Sequence, residues 1–193
     1  MDLKPNRKRI VNSIANVVFF GSLLLLIFSP DAKSWFLKQL ISVGLFKAEI
    51  TNKNPKGITP SFFVFEDEKG KMISTENLKG KVVFINFWAS WCPPCRAEMS
   101  SLNKLYNEFK ADDRLVFLFM NEDEDVQKAK IFLQSNHYTI PITTSGGNIP
   151  PEIFTGTLPT TIVLNKEGKI IMKHEGLAGY DSDGFVKELK ELL

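Results

Sequence analysis

The sequence Trp-Cys-Pro-Pro-Cys, residues 91–95, constrains this chain more than any other feature. It lies where an apolar run, residues 81–89, gives way to a segment with helical periodicity, residues 93–109. Because a helix N-terminus presents unpaired N–H groups and a partial positive charge, it favours a thiolate over a thiol. The spacing also places the two sulfurs one helical turn apart. The pattern therefore indicates redox chemistry, with Cys92 as the exposed nucleophile and Cys95 as the shielded resolving thiol.

Purely structural roles suit these two cysteines poorly. They are the only cysteines of the chain, so no wider disulfide framework exists. A bridge across two intervening residues removes little chain entropy. A structural zinc site normally takes four ligands, and the only histidines, His137 and His174, are distant in sequence. We therefore disfavour a structural disulfide and a zinc site, and predict no metal site.

An uncharged apolar run covers residues 10–28. At about 1.5 Å per residue it spans roughly 28 Å as a helix, near the thickness of a bilayer core. The basic residues that precede it are Lys4, Arg7, Lys8 and Arg9. By the positive-inside rule, that end stays in the cytoplasm and everything after Pro30 is exported.

A cleaved signal peptide is the alternative, since it would share the basic start and the apolar run. Residues 29–33, however, contain no small-x-small cleavage site. We therefore predict an uncleaved anchor over residues 1–30, with a single pass through the cytoplasmic (inner) membrane. The remainder of the chain would then lie on the extracytoplasmic, or periplasmic, side.

The next segment, residues 34–46, places apolar residues at helical spacing. It is too short and too charged to span a membrane, and Trp35 suits an interface. Two interpretations remain open: the helix lies in the membrane interface, or its apolar face packs on the globular domain. Residues 47–60 are polar with proline and glycine, which is typical of a linker. We assign residues 31–58 to this juxtamembrane segment and linker.

The rest of the chain, residues 59–193, predicts one α/β domain. Six of the 24 Lys and Arg fall within residues 1–38, which leaves a slightly acidic body that does not indicate nucleic-acid binding. Alternation of strands and helices, closed by a hairpin and a last helix, predicts a mixed central sheet flanked by helices. The predicted strands are 61–65, 71–73, 81–88, 114–120, 139–143, 160–164 and 169–174. The predicted helices are 93–109, 124–136 and one that opens at Asp181 or Ser182, with a helical turn at 151–154.

Residues 86–98, Asn-Phe-Trp-Ala-Ser-Trp-Cys-Pro-Pro-Cys-Arg-Ala-Glu, resemble the membrane-anchored TlpA-like or ResA-like branch of the thioredoxin-like superfamily. Residues 78–81 and 158–161 match the same branch. The resemblance implies a thioredoxin-like fold and a thiol–disulfide oxidoreductase that needs no cofactor. It also implies reduction of disulfides in exported proteins, including apocytochrome c before haem attachment. A thiol electron donor in the membrane would then re-reduce the pair.

The resemblance implies further site residues. Pro159 would be cis and face the redox pair, and Leu158 would offer main-chain groups to an extended substrate. Asn86 stands where many thioredoxins place a buried aspartate, and an amide cannot shuttle protons. Glu98, one helical turn beyond Cys95, is therefore predicted to assist proton transfer at that thiol. The alternative for Glu98 is a solvated surface position.

The tryptophans next to the redox pair have different predicted roles. Trp88 is predicted to lie in the core, whereas Trp91 is predicted to border the substrate groove because it precedes the nucleophile. The residues expected to contact substrate are Trp91, Pro93, Pro94, Leu158 and Pro159.

Two other functions compete with the reductase interpretation. In a peroxiredoxin-like peroxidase the nucleophile follows a threonine three residues earlier, and this chain has Ala89 there. In a copper chaperone two thiolates would suit Cu(I). The copper-binding relatives of this fold, however, space their cysteines by three residues and add a histidine.

Overall fold

The computed structural model describes residues 7–50 and 59–193. The helices are α1 (Arg7–Phe28), α2 (Pro30–Ser42), α3 (Pro93–Phe109), α4 (Val126–Ser135) and α5 (Asp183–Leu192). The strands are β1 (Val64–Glu66), β2 (Met72–Ser74), β3 (Val82–Trp88), β4 (Leu115–Asn121), β5 (Thr144–Ser145), β6 (Thr160–Leu164) and β7 (Ile170–Glu175). The basic stretch with Lys4, the side chains of residues 7–9 and linker residues 51–58 lie outside the described residues.

The main sheet has the strand order β4-β3-β6-β7, with β3 parallel to β4 and the other pairs antiparallel. Every residue of β3 is buried. Because successive side chains of a strand point to opposite faces, Phe84 and Trp88 join one apolar cluster and Ile85 and Phe87 join another. Side chains from α3, α4 and α5 complete the first cluster. This arrangement confirms the predicted α/β class.

The second face of the main sheet is covered by a small sheet with the order β2-β1-β5. Phe63 and Phe65 pack there against the second apolar cluster. The strand predicted over residues 139–143 is wrong: the strand is β5, and Thr143 only bridges Met120. Pro141 offers the reason, since proline has no N–H to donate to a ladder.

The helix predicted over residues 124–136 is shorter than expected. Asp125 has an extended backbone, and its carboxylate accepts a hydrogen bond from the Gln127 N–H. It is therefore the N-cap of α4, because capping residues keep non-helical dihedrals. The last helix has an equivalent cap, since the Ser182 hydroxyl accepts from the Phe185 N–H.

Helix α1 contains one stretch long and apolar enough to cross a membrane, Ile10–Phe28, with a mean hydropathy of 2.2 and none of it buried. It ends because Ser29 has an extended backbone and caps α2, with Pro30 at the first helical position. Helix α2 then packs against α3, and Asp31 forms an ion pair with Arg96. Of the two interpretations left open for this segment, the structure shows that one side of α2 docks on the domain.

The segment after α2 stays attached to the domain. The Ala48 N–H donates to the Gly179 carbonyl at 3.0 Å, and Ala48 and Ile50 are buried. The prediction of a linker from Lys47 is therefore wrong for residues 47–50. Gly179 permits this approach, because a Cβ at that position would lie 2.7 Å from Ile41 Cγ2.

Candidate active site

The two cysteines form a disulfide at the start of α3, with their Cα atoms 5.3 Å apart. Cys92 is the N-cap of this helix and has an extended backbone. Pro93 and Pro94 occupy the first helical positions, where a missing N–H costs little because no intrahelical partner exists. The Cys95 N–H donates to Cys92 Sγ at 3.3 Å. The helix therefore directs one backbone donor at the predicted nucleophile.

The cysteines differ less in exposure than the sequence predicted. Cys95 is fully buried, and Cys92 is only 3% exposed in this disulfide form. The expectation of an exposed Cys92 is therefore wrong for the oxidised state, because the bonded sulfur packs against the apolar cluster. Of the neighbouring tryptophans, Trp88 is buried as predicted and Trp91 is 61% exposed.

The Leu158–Pro159 peptide bond is cis, as predicted. Thr160, the next residue, pairs with Phe87 in the antiparallel β3–β6 ladder. Pro159 therefore lies at the end of the sheet where β3 leads into the redox pair. The Pro159 carbonyl accepts from the Gly176 N–H at 2.8 Å.

Glu98 is fully buried, so the solvated surface position that was its alternative is wrong. Asn86 Nδ2 donates to one carboxyl oxygen at 2.8 Å, and the Ala178 N–H donates to the other at 3.3 Å. The same Asn86 amide donates to Thr161 Oγ1, which also accepts from the Tyr180 hydroxyl. The carboxyl group thus belongs to a buried polar network between α3, β3 and β6.

Burial raises the pKa of Glu98 from 4.5 to about 8, and the hydrogen bonds from Asn86 and Ala178 act in the opposite direction. Removal from water has the larger effect, because it destabilises the charged carboxylate by more than the two hydrogen bonds stabilise it. Glu98 and Cys95 both lie on the buried side of α3. A carboxyl group with this pKa can hold a proton or release it near neutral pH.

Sequence reasoning missed three residues that support the site. Thr161 and Tyr180 belong to the network around Glu98, and Asp123 accepts from both the N–H and the hydroxyl of Ser90, just before the redox pair. A signal for Asp123 existed, since polar residues follow β4 and parallel strands end at the same edge of a sheet. Tyr180 had no such local signal.

The Redoxin family profile matches residues 52–181 of the chain. The chain belongs to the Redoxin family. A relative named thiol-disulfide oxidoreductase ResA, from Halalkalibacterium halodurans, is 35% identical over 68% of this chain and 73% of its own. Another ResA, from Bacillus thuringiensis strain Al Hakam, is 31% identical over 90% of this chain and 97% of its own.

Among solved structures, StoA from Bacillus subtilis superposes with a TM-score of 0.53 and 29% sequence identity, over 69% of this chain and 96% of that one. The fold found here is thus similar to that of StoA. In this Redoxin chain the disulfide, the cis proline and the buried carboxyl group are assembled at one end of β3. The cysteine pair can perform thiol–disulfide exchange, and the buried carboxyl group lies on the same side of α3 as Cys95.

Proposed function

We propose that this thiol–disulfide oxidoreductase reduces disulfides of exported proteins at the outer face of the cytoplasmic membrane. The observation that carries this proposal is the Cys92–Cys95 disulfide at the start of α3, where Cys92 is the N-cap. Glu98, on the same helix, is fully buried. The membrane assignment rests on the apolar span of α1. The proposed substrates include apocytochrome c.

The reaction begins with the reduced pair. The Cys92 thiolate attacks a substrate disulfide, forms a mixed disulfide and expels one substrate thiolate. Cys95 then gives its proton to Glu98 and attacks Cys92 Sγ, which releases the second substrate thiolate. The product is the Cys92–Cys95 disulfide of this structure, in which the raised pKa of Glu98 fits a carboxyl group that has taken up a proton. A membrane thiol donor reverses these steps and returns two electrons.

Substrate docking in this proposal uses main-chain groups beside the cis proline. Within residues 7–50 and 59–193, the Leu158 main chain makes no hydrogen bond to other backbone groups, so it can pair with an extended substrate strand. Trp91 is exposed next to Cys92 and offers an apolar wall for the groove. The rings of Pro93 and Pro94 follow at the start of α3.

The topology of the chain is the first prediction. A reporter enzyme that requires export, fused after Leu193, should be active, whereas one that requires the cytoplasm should not, because the basic start of the chain stays inside. The protein should remain in membranes washed with alkaline carbonate. A soluble extracytoplasmic protein whose N-terminus lies near residue 30 would show that the apolar run is a cleaved signal peptide.

The redox potential is the second prediction. Pro93 and Pro94 supply no N–H, so the Cys95 N–H is the donor to Cys92 Sγ within the described part of α3. A less stabilised thiolate means a less stabilised reduced form and a stronger reductant. We expect a potential nearer that of thioredoxin, about −270 mV, than that of DsbA, about −120 mV.

Equilibration with dithiothreitol or glutathione buffers measures this potential. Pro94→Ala is the matched variant, because it restores one N–H in the first helical turn and should raise the potential. A wild-type value above roughly −180 mV, the range of isomerases, would contradict the reductase assignment.

A further inference from the structure

An exposed apolar surface surrounds α2 and the turn that follows it. Its residues are Trp35, Phe36, Val43, Leu45 and Phe46, whose exposed fractions lie between 39% and 72%. We call this set the outward face. The opposite side of α2, with Ser34 buried and Leu37 and Ile41 half-buried, packs on the domain. An exposed cluster of large apolar side chains normally marks a surface that contacts a partner or a membrane.

The chain itself limits what can cover the outward face. Only Ser29 separates the end of α1 from the start of α2. Asp31 is three residues beyond Phe28, so even a fully extended chain would keep it within about 11 Å of the end of the span. Because α1 spans the membrane in the function proposed above, the first turn of α2 starts at the membrane surface, and Trp35 and Phe36 follow shortly after it.

We propose that the outward face lies in the interfacial layer of the membrane that α1 spans. This inference rests on the anchor in the proposed function. Tryptophan and phenylalanine suit that layer, where their rings reach the boundary between headgroups and acyl chains. Lys33, Lys38 and Lys47 are exposed along the same segment and can meet anionic headgroups.

The outward face would thereby position the redox pair. Asp31 pairs with Arg96, which directly follows Cys95, and the Arg96 guanidinium lies over the Phe132 ring at 5.1 Å. At the other end of the segment, Ala48 pairs with Gly179.

Gly179 follows Ala178, the residue whose N–H donates to Glu98. The juxtamembrane segment is therefore joined to the domain on both sides of the site, and the redox pair stays close to the bilayer. A membrane-embedded thiol donor fits this position better than a soluble one.

Fluorescence of Trp35 tests the proposal in the full chain. The protein is reconstituted into vesicles of phosphatidylglycerol and phosphatidylethanolamine, with or without bromine on the acyl-chain carbons nearest the headgroup. Subtraction of the Trp35→Phe spectrum removes the emission of Trp88 and Trp91. We expect brominated lipid to quench most of the Trp35 emission and aqueous iodide to quench little of it.

A matched control places a tryptophan on the small sheet. Met72 is 52% exposed on β2, which belongs to the opposite face of the main sheet from α3. Met72→Trp in the Trp35→Phe background should respond to iodide and not to brominated lipid. This control shows that quenching by lipid reports on position and not on exposure alone.

Three outcomes would overturn the proposal, and they are distinguishable. Trp35 emission that is quenched by iodide and insensitive to brominated lipid would place the outward face in water. Emission insensitive to both quenchers would show that a protein, such as a second copy of this chain, covers it. Release of the protein by alkaline carbonate would remove the anchor, and with it the membrane part of the proposed function.

Discussion

Cys92→Ser should reduce turnover of protein disulfides by on the order of a thousandfold or more, because it removes the covalent nucleophile. Cys95→Ser should instead accumulate a mixed disulfide, since attack by Cys92 remains possible and release by the second thiol does not. Cys92 caps the start of α3 beside the exposed Trp91, whereas Cys95 lies within the helix and is fully buried. Non-reducing electrophoresis and mass spectrometry of membranes from cells that produce Cys95→Ser would measure the trapped species.

The double variant Cys92→Ser, Cys95→Ser gives the background for this experiment and should trap nothing. Covalent partners that appear with Cys92→Ser and not with Cys95→Ser would reverse the two roles. Turnover of hydrogen peroxide at rates equal to those with protein disulfides would favour the peroxidase alternative. The identities of the trapped proteins would show whether apocytochrome c is among the substrates.

The redox helix and its neighbouring strands could be predicted because their signals are local. The sequence predicts α3 and β6 with the bounds that the structure gives. Two prolines after Cys92 mark the start of α3, and the β-branched run after Pro159 marks β6. β3 could be predicted from its continuous apolar character, which is typical of a strand buried on both faces.

The polar network around Glu98 could not be predicted in the same way. Asn86 and Thr161 are 75 residues apart, and Ala178 is 80 residues from Glu98, so these contacts depend on strand register and on the loop after β7. Local patterns hold no information on such pairs. Only the resemblance to a known branch indicated a role for Glu98.

The juxtamembrane segment shows a different limit. Its periodicity predicts an amphipathic helix but cannot decide between docking on the domain and lying in the membrane. The structure shows docking through Leu37 and Ile41, while Trp35 and Phe36 remain exposed. Trp35 and Phe36 interrupt the otherwise polar exposed side of this short helix, which weakens the periodic signal.

Glu98→Gln should flatten the pH dependence of folding stability. Burial raises the pKa of Glu98 to about 8 in the folded protein, against 4.5 for an exposed glutamate. Between these values the folded state holds a proton that the unfolded state has released. The contribution of the neutral carboxyl group to the unfolding free energy is therefore fully present below about pH 4.5. It is lost as the pH rises towards 8.

The expected loss is about 1.4 kcal/mol per pH unit, on the order of 4 kcal/mol across this interval. Glutamine has no proton to release, so the difference in unfolding free energy between Glu98→Gln and wild type should change with this slope. Denaturant unfolding of the oxidised protein at pH 5, 6, 7 and 8 measures it. Glu108→Gln is the matched control, because Glu108 is exposed on the same helix and should leave the slope unchanged.

The same substitution should slow the resolving step of exchange by roughly 10²–10⁴-fold, the usual contribution of a positioned proton acceptor. Glutamine keeps one oxygen that can accept from Asn86 or from Ala178, and its amide nitrogen meets the other donor. It cannot take the proton of Cys95. The mixed disulfide should therefore live longer, and the rate should lose its dependence on a group that titrates near pH 8. Stopped-flow measurement of substrate release from pH 5 to 9 tests both effects. Wild-type rates across that range, together with the flattened stability profile, would mean that Glu98 is buried and protonated but takes no part in catalysis.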